Sequence, residues 1–292
     1  NANYFVDVVL DHDPVAATPR PGITGDGPIL VATDPNRHRS EYLSQILRAE
    51  GVNQHAWTDA GNIGVSVGLE EYETVVLSDA DIGPTQVAAL TSFVEDGGTL
   101  VAMRPDPTLD DLLGVDRTGA TRSDAYLRID QSSQPGAGLT PDTIQYHGAA
   151  DEITARTGTR SVATMYADRD TSTPYSAVTV RSVGAGVAAA FSYDLAASVI
   201  AQHQGNIAWE GQNRDAMSGP FRSSDVFVGD SEEWTSIPTH DPQPDWVDRE
   251  RIQIPQADEQ QRLLVKLLAS APEATPLPRL GTCLGTCMRP SS

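Results

Sequence analysis

Several polar residues stand directly behind apolar runs, where they could do chemistry. Asp34 follows Ile29-Leu30-Val31-Ala32-Thr33, and Ser78, Asp79 and Asp81 follow Thr74-Val75-Val76-Leu77. Arg104 and Asp106 follow Thr99-Leu100-Val101-Ala102-Met103, and Asp194 follows the run that ends at Tyr193. In open α/β sheets ligands bind outside the carboxyl ends of the strands. These residues would therefore form a polar cleft for a sugar or small polar ligand, with Arg104 as the anchor. Two carboxylates facing each other across such a cleft, roughly 5–9.5 Å apart, would suit glycoside chemistry. The same residue types also cap helices that follow strands, and Asp194 fits that role too. Both readings stay open at this point.

Other constellations carry less. Ser78 lacks the G-x-S-x-G surroundings of a nucleophile elbow. His203 falls within a helical pattern, and an acid/base role needs a positioned partner. Asp11-His12-Asp13 lies in a Pro- and Gly-rich stretch and supplies fewer than the three or four converging ligands a metal needs. Both cysteines, Cys283 and Cys287, fall in the last ten residues with no second Cys/His pair. No metal site is expected. Neither a phosphate loop nor a strand leading into G-x-G-x-x-G is present, so no nucleotide cofactor is expected. Net charge is −20, from 20 Lys+Arg against 40 Asp+Glu, and Lys266 is the one lysine. Nucleic acid is excluded as a partner because phosphate contacts need clustered cations. No apolar run approaches the roughly 20 residues of a membrane span, and no signal peptide is visible.

The elements that would position these residues are legible from Ile29 to Arg104. Apolar strands at Ile29–Thr33, Val52–Trp57, Thr74–Ser78 and Thr99–Met103 alternate with helices. One helix carries Tyr42, Leu43, Ile46 and Leu47 and stops at Gly51. The other opens at Pro84, carries Val87, Leu90, Phe93 and Val94, and stops at Gly97-Gly98. Fully apolar strands between amphipathic helices predict a parallel sheet covered on both faces. The expected fold is α/β, a flavodoxin-like (Rossmann-like) three-layer parallel sheet with a β-rich insertion in the second half. In that half a short helix is expected over Leu109, Leu112 and Leu113, closed by Gly114. Strands are expected at 125–129, 143–147, 161–166, 177–181 and 186–193, the last two joined as a hairpin. Helices are expected after Asp194 and over 256–268. The stretch 205–255, with Trp209, Trp234 and Trp246, is a long loop pinned to the surface. Residues 11–27 read as a linker, 28–271 as the domain and 272–292 as a disordered tail.

Three stretches together resemble a class I glutamine amidotransferase-like domain: GPILVATDPNRHRSEYLSQILRAEG, LTSFVEDGGTLVAMRPD and GVAAAFSYDLAASVIAQHQGNIAW. The version they resemble occurs in large secreted or surface-associated actinobacterial proteins. The related fold occurs in trehalose-utilisation-like proteins and in the trimerisation domain of β-galactosidases. Beside that resemblance, NANYFVDVVL (residues 1–10) looks like the last strand of a preceding β-sandwich domain. The chain therefore reads as part of a longer, extracellular or cell-surface polypeptide, with carbohydrate or the flanking domains as partners. In longer relatives the stretch like residues 257–279 leads into a polysaccharide-deacetylase-like domain, whereas here the tail looks like a truncation or frame change. An active amidotransferase needs a cysteine on the tight turn after a central strand, with His and Glu nearby. The equivalent turns here are Ser78-Asp79-Ala80-Asp81 and Met103-Arg104-Pro105-Asp106, and neither has a cysteine. The expectation is a non-catalytic scaffold or carbohydrate-associated domain. The alternatives are a hydrolase working through the strand-end carboxylates and an oligomerisation domain, the last marked by an exposed apolar patch.

Overall fold

A computed structural model describes residues 22–205 together with 248, 250, 251 and 253–269. The proposed β-sandwich strand (1–10), most of the long loop, its three tryptophans, Asp11-His12-Asp13 and the tail with both cysteines lie outside the described residues.

The chain builds one twelve-stranded mixed sheet with helices against it. Its parallel part consists of β2 (Ile29–Thr33), β3 (His55–Asp59), β4 (Thr74–Leu77), β5 (Thr99–Met103) and β12 (Gly186–Phe191). These lie in the spatial order β3-β2-β4-β5-β12. A two-residue strand β1 (Thr24–Gly25) adds antiparallel to the β3 edge, so the end of the stretch read as a linker joins the sheet. On the other side β12 pairs antiparallel with β11 (Ser172–Val183), closing the expected hairpin. Next come β10 (Thr159–Tyr166), β7 (Tyr126–Ile129) and β8 (Thr143–Gln145). A ribbon of β6 (Val115–Ser123) and β9 (Ala149–Ala155) branches off β11.

Every residue of β2, β4 and β5 is buried, as expected for strands covered on both faces. Alternate side chains enter two separate cores. Val31, Val76, Val101 and Phe191 pack with Leu43, Ile46 and Leu47 of helix α1 (Tyr42–Ala49). The same core takes in α4 (Leu195–Gln204) and the closing helix, here called α5 (Gln256–Leu268). Leu30, Leu77, Leu100 and Ala190 face Leu90 and Val94 of α2 (Pro84–Glu95), with Leu112 and Leu113 of the short α3 (Asp110–Leu113). Helix α1 ends where the Val52 N–H donates to the Leu47 carbonyl at 2.8 Å and Gly51 adopts φ +84°. This six-to-one closure requires a left-handed residue, and glycine supplies it without strain.

Two expectations need correction. The second strand is His55–Asp59, not Val52–Trp57, because residues 52–54 are spent closing α1. Strands β6 and β9 were not anticipated. Residues 116–124 are exposed or half-buried and charged, and β9 reads Ala-Ala-Asp-Glu-Ile-Thr-Ala, so neither shows an apolar alternation.

The short edge strand β8 is closed by side chains. The Gln145 N–H donates to Gln256 Oε1 at 2.6 Å, and its carbonyl accepts from Gln260 Nε2 at 3.0 Å and Gln202 Nε2 at 2.8 Å. Gln260 is fully buried, and its Oε1 also accepts from the Tyr193 hydroxyl at 2.9 Å and Ser198 Oγ at 3.3 Å. One amide thus ties β8, α4 and the end of β12 to α5. Replacing it strands the Tyr193 hydroxyl in the core. Gln260→Ala is expected to lower stability by about 3 kcal/mol, from one unpartnered buried group plus a cavity. Denaturant unfolding measures this; a loss below ~1 kcal/mol would show that water replaces the amide.

Candidate functional site

The parallel strands share one C-terminal edge, and the structure brings most of the candidate residues together there. Asp34 leaves β2, Ser78 and Asp79 leave β4, Arg104 leaves β5 and Asp194 follows β12. Arg104 adopts φ +39°, a left-handed conformation that non-glycine residues rarely take. Its N–H donates to the Phe191 carbonyl at 2.8 Å, which holds the turn against β12. This is a strained turn leaving a central strand of the parallel sheet. Here it displays a guanidinium.

That guanidinium lies 3.7 Å from Asp79 and 3.3 Å from Asp151. Asp79 also receives Arg37 at 2.5 Å, and Arg37 reaches Asp34 at 3.5 Å and Asp81 at 3.1 Å. On the other side Asp151 receives Arg117 at 2.5 Å, and Arg117 bonds Asp110 and the Pro105 carbonyl, both at 2.7 Å. The result is a ladder of alternating charge, Arg37–Asp79–Arg104–Asp151–Arg117. It crosses the strand ends from β2 to the β6–β9 ribbon. The carboxylates are more deeply set than two of the cations: Asp79 and Asp151 are 16% and 19% exposed, Arg37 and Arg104 37% and 31%. Exposure on that scale leaves the pairs of Arg37 and Arg104 partly screened by water, whereas Arg117, 13% exposed, is more deeply set against Asp151.

Burial pushes the Asp79 carboxyl above its ordinary range. Arg37 and Arg104 pull it back, and the Asp194 carboxylate pushes it up further. Burial likewise raises Asp194, against backbone donors at Ala197 and Ala196 and the charges of Arg39 and Arg37. Asp194 is the N-cap of α4, accepting from the Ala197 N–H at 3.0 Å. Asp106 caps the 3-10 turn Pro107–Leu109, accepting from Thr108 N at 2.8 Å and Thr108 Oγ1 at 2.7 Å, and takes no place in the ladder. Ser78 is 2% exposed, and the one bond recorded for its hydroxyl is a long 3.5 Å contact to the Asp79 carbonyl. Among the described residues no hydrogen bond joins it to a base that would activate a nucleophile. His203 is exposed on α4, away from these pairs. Among the described residues no cluster of three or more His, Cys, Asp or Glu could hold a metal ion.

Sequence reasoning missed Arg37, Arg117, Asp110 and Asp151 as members of the ladder. Asp151 and Arg117 sit on β9 and β6, so their role depends on strands that carry no apolar signal. Arg37 lies three residues after Asp34, in a turn whose direction is set by the Asp34 carboxylate accepting from the Asn36 N–H at 2.9 Å.

No protein-family model matches the chain, and no curated protein matches it. Among solved structures, a β-galactosidase from Bacillus circulans sp. alkalophilus is similar to it. The identity is 14% and the TM-score 0.48, over 61% of this chain and 30% of that one. An exo-β-1,4-mannosidase from Opitutaceae bacterium strain TAV5 is 18% identical with TM-score 0.46, over 61% and 33%. The carbohydrate deacetylase Agd3 is 17% identical with TM-score 0.45, over 62% and 32%. The chain thus spans about a third of the length of each of these proteins. Likenesses this distant carry no argument about what the chain does.

Two predictions follow from the geometry. Arg104→Gly relieves the left-handed backbone and Arg104→Ala does not, while both lose the ion pairs. The glycine variant is therefore expected to be more stable than the alanine variant by about 1 kcal/mol. Equal stabilities in thermal unfolding would mean that the turn relaxes. Asp194 has its folded-state pKa raised, so the folded protein holds the proton more tightly than the unfolded chain. Its contribution to stability is then greatest below the ordinary carboxylate value of 3.8 and falls as pH rises through the folded-state value. Asparagine caps as well without the buried charge. Asp194→Asn is expected to match or exceed the parent protein at neutral pH, and Asp194→Ala to lose about 1 kcal/mol. A loss in Asp194→Asn as large as in Asp194→Ala would refute this account.

Proposed function

We propose that the chain is a non-catalytic, amidotransferase-like domain that associates with carbohydrate through its strand-end cluster, as part of a longer exported polypeptide. The observation that carries the reading is Arg104. It stands in one of the two turns equivalent to the nucleophile position of an amidotransferase, in a left-handed backbone, and offers a planar, partly exposed guanidinium. Guanidinium and carboxylate groups set side by side supply the donors and acceptors that a sugar's hydroxyl groups need. The amidotransferase-like reading is further supported by the order of the parallel strands. Numbered among themselves they run second, first, third, fourth, fifth, which is the flavodoxin-like order.

The hydrolase alternative has less behind it. Asp106 and Asp194 are occupied as caps, and Asp79 and Asp151 are each shared by two arginines. An oligomerisation domain would be expected to show an apolar patch. Among the described residues the exposed large hydrophobic is Val65, at 70%.

The test is a binding screen of the full chain against cell-wall and storage polysaccharides, with Arg104→Gly as the folded control. Saturable binding that weakens about tenfold in the variant is expected, the loss of a charged hydrogen bond. Binding unchanged in the variant would remove the strand-end cluster from the function, and no binding to any glycan would leave a structural domain.

A further inference from the structure

The middle of the strand-end ladder stands over a hydroxyl that the fold itself does not use. Ser192 directly follows β12 and is 1% exposed, and among the described residues its Oγ has no hydrogen-bond partner. A buried hydroxyl without a partner costs free energy, and such a group in a native structure calls for an explanation. Its two lateral neighbours are the residues that close the ladder. The bridge between Ala150 and Tyr193 sets Asp151 opposite Ser192, and the Asp151 N–H donates to the Ser192 carbonyl. On the other side Phe191 lies beside Met103 in the parallel pairing, so Arg104 comes beside Ser192. Phe191 and Tyr193 both enter the core shared by α1, α4 and α5, which turns Ser192 to the opposite face. Ala150 belongs to that core as well, so Asp151 shares the face of Ser192. Arg104 and Asp151 thus close their ion pair, at 3.3 Å, across the serine that lies between them.

That pair can be exchanged. Both partners are partly open to water, so their contact is screened and a ligand can replace it. A hydroxyl accepts and donates at one oxygen. Entering between the two, it accepts from the guanidinium and donates to the carboxylate, which leaves both charges partnered. A neighbouring hydroxyl on the same ring is then free for Ser192. The alternation of charge selects against other ligands. Arg104 is flanked by Asp79 and Asp151, and Asp151 by Arg104 and Arg117. A ligand carboxylate at Arg104 would meet both aspartates, and an ammonium group at Asp151 would meet both arginines. A neutral group meets neither penalty.

We propose that the strand-end site takes an uncharged sugar through two adjacent hydroxyl groups, one replacing the Arg104–Asp151 contact and the other completing Ser192. The inference rests on the carbohydrate reading above. It adds the class of sugar and makes Ser192 a binding residue. It is tested by calorimetric titration of the full chain with the hexasaccharides of cellulose, mannan and galactan, beside those of chitosan and polyglucuronate. Each variant is also followed by thermal unfolding.

At least one neutral hexasaccharide is expected to bind, and more tightly than either charged one. Ser192→Ala is expected to weaken that binding roughly fivefold, the scale of one hydrogen bond. The same variant is expected to melt at or above the parent temperature, because it removes an unpartnered buried group. Thr179→Val takes another buried, unpartnered hydroxyl from β11 and is expected to leave binding unchanged. Unchanged affinity in Ser192→Ala would show that the ligand does not use the hydroxyl. Melting lowered by about 3 °C or more would show that the fold does. Either result overturns the proposal. Tighter binding of a charged hexasaccharide than of every neutral one would overturn it while the carbohydrate reading stands. So would binding to polysaccharide with no neutral hexasaccharide bound, whereas no binding to any glycan would overturn both.

Discussion

Strand β12 makes the sheet continuous, and most of the structure depends on it. It pairs parallel with β5 through Val187–Thr99 to Phe191–Met103, and antiparallel with β11 along its other side. A strand flanked in this way has no free edge and both faces covered, so its side chains must be small or apolar. Ala188, Ala189 and Ala190 meet that demand, each about 1% exposed or less. Their size lets helices pack closely on both faces. The approach is tightest at Gly186, where a Cβ would run into the Gly98 and Val94 carbonyls. A larger residue at Ala188, Ala189 or Ala190 would push the covering helices off the sheet.

The same strand fixes the strand-end ladder. The Phe191 carbonyl holds Arg104, and the Ser192 carbonyl accepts from the Asp151 N–H at 2.8 Å. Neighbouring residues of β12 thus anchor a guanidinium from the parallel half and a carboxylate from the antiparallel ribbon, and these meet at 3.3 Å. The pairing is a consequence of sheet register rather than of local sequence. It also explains why the arginine tolerates a left-handed backbone: the turn is held from two sides, and strain of about 1–2 kcal/mol persists only where the surroundings over-determine it.

The legibility of the chain divides along physical lines. Strands β2, β4 and β5 are covered on both faces and therefore read as unbroken apolar runs with well-placed ends. Helices α1 and α2 carry glycine stops whose geometry matches their role. The ribbon β6–β9 carries no such signal, since its pairing is satisfied by backbone bonds while most side chains of β6 meet water or ions and only Val115, Ala150 and Ile153 enter the cores. The candidate residues after the strands were legible because the strand ends were. Asp151 and Arg117 were not, because they arrive from that ribbon, and neither was Arg37, which is aimed by the turn after β2. Capping and ligand binding draw on the same residue types, so sequence left Asp106 and Asp194 open between the two. Their bonds to Thr108 and Ala197 place them as caps.

The distribution of charge is the remaining constraint on function. With 20 basic against 40 acidic residues, not every carboxylate can find a cation. Arg37, Arg104 and Arg117 gather at the strand C-termini, where burial raises the cost of an unpaired carboxylate and pairing relieves it. Other carboxylates, Glu70 and Asp96 among them, lie exposed to water, where charge costs little. The C-terminal edge is therefore self-neutralised, and a ligand entering it must displace an internal partner of Arg104 or add to it. The strand-end pairs thus answer one another's charge before any ligand arrives.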